Sequence, residues 1–160
     1  MDIDRVRCLL GTNIWADFPV TEVWLDLNPT ADEALAPLAR RLSARLPREV
    51  PGCRPPRLAK AQDRKGVELW LARTFGHLIQ TLGTQLGGAA DAFLRVAHSG
   101  QPGLVQIVYP HQPELAPRAC AETALVLFRA VQDEAPIDLP GALTGLEAAP
   151  APGRPAGEPT

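Results

Sequence analysis

Between Val20 and Asn28 the chain alternates with a period of two. Val23, Leu25 and Leu27 fall on one side and Trp24, Asp26 and Asn28 on the other, the pattern of a strand with one face on a core. Residues 3–10 (IDRVRCLL) alternate more weakly and run into the turn residues Gly11, Thr12 and Asn13, which predicts a preceding strand. The period then lengthens. Leu35, Leu38, Leu42 and Leu46 keep a helical stripe, Thr30 and Glu33 have the spacing of a capping box, and Pro47 marks a stop. Residues 47–62 hold Pro47, Pro51, Gly52, Pro55 and Pro56 and predict a long irregular loop.

Residues 63–86 carry the longest stripe: Val67, Leu71, Phe75 or Leu78, Leu82 and Leu86, closed by Gly87 and Gly88. Gly76 and Gly83, seven residues apart, lie on one side of that helix. Each costs about 1 kcal/mol of helix propensity relative to alanine, so this side predicts close approach by a strand or crossing helix. Two short alternating segments follow, residues 92–99 and 103–110, joined by a loop of ordinary hairpin length. A last helix is predicted over residues 113–132, with Ala116, Cys120, Thr123 or Ala124, Leu127 and Val131 on one face; Pro117 fits only its first turn. The order β-β-α-α-β-β-α, with two hairpins and three helices, predicts an α+β domain: helices on one face of a mostly antiparallel sheet. Proline, glycine and alanine dominate beyond Pro136, so the expected folded domain is 1–135 and residues 136–160 read as a flexible tail.

Composition narrows the function. At 160 residues the chain is one domain long, and 46% hydrophobic content excludes global disorder. Sixteen basic against 18 acidic residues give a net charge of −2, which argues against nonspecific nucleic-acid binding as the main activity. The three cysteines, Cys8, Cys53 and Cys120, form neither a disulfide framework nor a CxxC knuckle. Cys8 and Cys120 lie in apolar segments and are expected as buried thiols. With no leader-like h-region and no run approaching the ~20 apolar residues of a membrane span, the expected compartment is cytoplasmic, with no membrane partner.

No Walker A, GxGxxG or G-x-S-x-G occurs. His77 lies on the long helix with Gln80, Thr81 and Thr84 beside it. A zinc-peptidase helix needs a second imidazole as ligand and a carboxylate to activate water, and this strip has neither, so it reads as a hydrogen-bonded helix face or a ligand-contact strip. At the first turn, Asn13 tolerates left-handed angles and Trp15 is either a ligand platform or a cover on the core. Arg54, Arg57, Lys60, Arg64 and Lys65 are either a solvated face or a patch for a polyanion.

Several segments together resemble the N-terminal domain of cyanophycin synthetases, which polymerise aspartate and arginine with an ATP-grasp and a Mur-ligase-like module. The family's LRGPNxW turn corresponds to Leu9-Leu10-Gly11-Thr12-Asn13-Ile14-Trp15, and its next strand, ending at an acidic position, to Val23-Trp24-Leu25-Asp26-Leu27. Its helix GHVIEHVALELQ corresponds to Gly76-His77-Leu78-Ile79-Gln80-Thr81-Leu82-Gly83-Thr84-Gln85-Leu86, and its strand PGVYNVVFEY to residues 102–109. The resemblance covers roughly residues 3–135. It departs at Leu10 and Thr12, where the family has arginine and proline. It departs more consequentially at Gln80 and Thr81: the family's His-x-x-Glu-His, an inverted zinc-peptidase arrangement held in some members to trim the polymer, keeps only His77 here.

The resemblance therefore implies the family fold without the hydrolase, and no ligase module. The function expected from it is a noncatalytic accessory or polymer-binding protein of cyanophycin metabolism, with no cofactor and no metal. Its partners would be the polymer or a full-length synthetase, with self-association left open. Ligand-binding candidates are Asn13, Trp15, Asp26, His77, Gln80, Thr81, Arg54 and Arg57. Glu22, Asp26 and Glu68 are candidates to pair with polymer arginines, and Arg54, Arg57 and Arg64 with polymer carboxylates. The alternatives are a subunit docking a synthetase through the glycine side of the long helix, or a divergent metallohydrolase recruiting His98, His111 or Glu122.

Overall fold

A computed structural model describes residues 1–9, 19–88, 93–112 and 116–148. The elements are β1 (Asp2–Leu9), β2 (Val20–Asp26), α1 (Asp32–Glu49), α2 (Arg64–Gln85), β3 (Arg95–His98), β4 (Leu104–Pro110), α3 (Pro117–Gln132) and α4 (Leu139–Glu147). The strands form one antiparallel sheet in the order β1-β2-β4-β3. Both expected hairpins are present, and they meet along β2 and β4, where Val23 faces Ile107 and Leu25 faces Val105. These four side chains are fully buried on the face that the helices cover.

Helix α2 is the centre of the core because its stripe is apolar from end to end: Leu71, Phe75, Leu78 and Leu82 are all fully buried. It packs on β3, β4 and α3, and Phe75 meets Phe128 of α3 edge to face, ring centroids 5.0 Å apart. Asp63 caps its N-terminus by accepting from the Gly66 amide at 2.8 Å. Gly87 ends it in the left-handed region at φ +91°. The close approach expected at Gly76 is made by side chains rather than backbone: a β-carbon there would lie 2.5 Å from Leu94 Cδ1 and 3.0 Å from Ile107 Cγ2.

Four expectations need correction. A fourth helix, α4, follows the three expected ones and lies inside the stretch read as a tail; Leu146 is buried, and Asp138 caps the helix through the Gly141 amide. Thr30 does not cap α1. The helix starts from Ala31 without a side-chain cap, and the Thr30 hydroxyl instead accepts from the Met1 ammonium at 2.7 Å. Pro47 does not stop α1 either, which runs to Glu49 with Pro37 and Pro47 inside it. Each proline removes one helical donor, but the apolar stripe through Leu46 holds the helix to the core. Finally, Cys8 is exposed at the end of an edge strand, while Cys120, and also Cys53 of the irregular loop, are buried.

Candidate functional site

The polar strip of α2 forms one wall of a cleft of about 290 Å³ lined by Pro51, Gly52, His77, Gln80, Thr81, Thr84 and Gln85. The i, i+3, i+4 spacing puts His77, Gln80 and Thr81 on one helix face, and Thr84 extends it by a turn. The opposite wall comes from the end of the α1–α2 connection. Gly52 adopts φ +87° there, a conformation open to glycine, and Cys53 anchors the loop at zero exposure. Burial pushes the Cys53 thiol up to about 11, with its side-chain hydrogen bond to Thr81 opposing the shift. Gln85 ties the two walls together by donating to the Pro51 carbonyl at 3.0 Å.

The groups facing the cleft are neutral. Thr81 and Thr84 donate their hydroxyl protons to the His77 and Gln80 carbonyls, at 2.8 and 3.0 Å. Gln80 donates to the Phe93 carbonyl at 3.0 Å. With these protons committed, the hydroxyl and amide oxygens remain as acceptors. The half-buried His77 ring makes no hydrogen bond among the described residues. Burial, and then the charge of Arg73, hold its pKa below the ordinary imidazole value, so near neutral pH it is an uncharged ring with one donor and one acceptor. Among the described residues no carboxylate and no second imidazole line this cleft. Among the described residues no three His, Cys, Asp or Glu converge as a metal-holding group. The cleft can bind donors such as amide or guanidinium N–H.

The other candidates lie apart. Asn13 and Trp15 fall outside the described residues. Asp26 is half-buried at the end of β2, accepting from the Asn28 amide at 2.9 Å. Arg54 and Arg57 are exposed on the α1–α2 connection with no ion pair among the described residues. Arg64 is instead committed, to Asp32 and to Glu68.

Of the three acidic side chains expected to await polymer arginines, Glu22 and Glu68 have charged partners within the fold. Glu22, on the sheet face opposite the helices, accepts from Arg7 Nε at 2.8 Å, Trp24 Nε1 at 2.7 Å and Gln106 Nε2 at 2.6 Å. Glu68, 1% exposed, takes Arg64 at 2.6 Å, His98 Nε2 at 2.8 Å and the Gly103 amide at 3.0 Å. Burial alone would raise both carboxyls, but these hydrogen bonds and the arginine charges outweigh it and hold both below the ordinary value. His98 and His111 are likewise separate, and Glu122 pairs with Arg118 on the surface. The glycine side of α2 is occupied as well: Gly76 lies under Leu94 and Ile107, and Gly83 is buried.

Sequence reasoning missed Pro51, Gly52 and Gln85. Only Gln85 carried a signal, at one turn beyond Thr81; the loop wall depends on a chain reversal that spacing does not encode. No protein-family model matches the chain, and no curated protein matches it either.

Proposed function

We propose that this chain is a noncatalytic binding protein for the aspartate–arginine polymer of cyanophycin metabolism, acting in the cytoplasm beside the enzymes that build it. The observation that carries the reading is the cleft along the α2 strip, where neutral acceptors replace the acid and ligand that hydrolysis requires. A polymer rich in amide and guanidinium N–H presents donors to these hydroxyl and amide oxygens, and Arg73 beside His77 supplies a charge for its carboxylates. The segment resemblance supplies the identity of the polymer, since a cleft of acceptors suits any donor-rich chain.

Calorimetric titration with soluble polymer, with a parallel assay for released dipeptide, tests this. Saturable binding without cleavage is expected. His77→Ala and Gln85→Ala should each weaken it about fivefold, the loss of one or two modest hydrogen bonds. Absence of saturable heat overturns the polymer as ligand, and dipeptide release overturns the noncatalytic reading.

A further inference from the structure

A second constellation lies where β1, β2 and β4 end together. Cys8 and Thr21 are register partners on β1 and β2, Thr21 and Tyr109 on β2 and β4. His111, one residue past β4, is fixed by its amide donating to the Pro19 carbonyl at 3.0 Å. Its Nδ1 therefore comes within 3.5 Å of Cys8 Sγ and 3.2 Å of Thr21 Oγ1. The thiol is exposed, the imidazole half-buried, and Thr21 buried.

Behind Thr21 and His111 is a cavity of about 10 Å³, also lined by Tyr109, Gln112 and Cys120. The Tyr109 hydroxyl, on a side chain 5% exposed, and Gln112 Oε1 have no hydrogen-bond partner there. Buried polar groups are rarely left unpaired, and the cavity matches the volume of one water.

We propose that Cys8 and His111 form a nucleophilic thiol site that exchanges with small disulfides. Nδ1 of the neutral ring takes the proton from Cys8 Sγ. The thiolate attacks one sulfur of the small disulfide, the S–S bond of that molecule breaks, and a new one forms to Cys8. The departing thiolate collects the proton from Nδ1, so thiol and disulfide yield mixed disulfide and free thiol. Thr21 Oγ1 accepts from Nδ1–H while the ring is charged. Chemistry belongs to the thiolate, and a base in contact with the thiol supplies it without full ionisation in the resting state.

Cys53 and Cys120 serve as internal controls. Both are buried, and burial pushes each thiol up to about 11. The native protein is treated at neutral pH with an aromatic disulfide reagent, and separately with glutathione disulfide, and the modified cysteine is located by peptide mass. One equivalent is expected to react rapidly, at Cys8, faster than free cysteine; the other two react only after unfolding. His111→Gln should slow the Cys8 reaction about tenfold, the modest end of general-base assistance once lower nucleophilicity is counted. A Cys8 rate no faster than free cysteine overturns the proposal from the unaltered protein alone. So does an unchanged rate in a folded His111→Gln variant.

Discussion

Glu22 lies on the sheet face without helices and is nevertheless 3% exposed, because Arg7, Trp24 and Gln106 close over it. Arg5, stacked 4.9 Å above the Trp24 ring, extends the cover. Replacing the carboxylate by an amide in Glu22→Gln strands donors that cannot all be satisfied, at a cost of about 2 kcal/mol, read as a lower urea midpoint. The folded-state pKa of Glu22 and Glu68 is lowered, so their contribution is present above the unfolded value of 4.5 and is lost as pH falls through the folded one. Stability should therefore drop below about pH 4.5, and Glu22→Gln should flatten that drop. Gly76→Ala sets about 1 kcal/mol of helix propensity against a β-carbon pressed on Leu94 and Ile107. The Leu94 methyl can swing away, but the branched Ile107 on the buried sheet cannot, so a net loss of about 1 kcal/mol is expected. The alternation of β2 put Val23, Leu25 and Leu27 on the core side. It could not show that Arg7, fifteen residues back, would already be paired with Glu22.

At the scale of elements, stripes long enough to be periodic were legible: β2, β4, α2 and α3 all appear where alternation or helical spacing put them. The misreadings came from short-range chemistry. Thr30 and Glu33 have capping spacing, but the hydroxyl went to the chain's own amino group 29 residues away. Helix α4 is nine residues with Pro140 and two glycines in it, a composition that reads as tail. Its signals were Asp138 before a proline in the first turn, and Leu139, Leu143 and Leu146 at helical spacing. Leu146→Ala should cost about 2 kcal/mol in chemical denaturation, the low end for a buried leucine because the helix is peripheral. A stability equal to the unaltered chain would mean α4 does not hold to α3.

For the whole molecule, the candidate site was half legible. The α2 wall of the cleft follows from spacing alone, since His77, Gln80, Thr81 and Thr84 belong to one face of one helix. The facing wall at Pro51 and Gly52 and the meeting of Cys8 with His111, 103 residues apart, follow only from the sheet order and the path of the connection. No described helix is long and apolar enough to cross a membrane. The sheet order has a further consequence. β1, β2 and α1 precede the irregular connection between α1 and α2; α2 and everything after it follow, and seven register pairs from Val20–Pro110 to Asp26–Leu104 join the two groups. Lys60 in that connection is exposed, so limited trypsin should nick the native protein there. The two pieces should then elute together until denaturant parts them, and should re-form the fold when mixed. A chain divided at that connection should then behave as two complementing fragments, suited to being split and reassembled as a reporter of proximity.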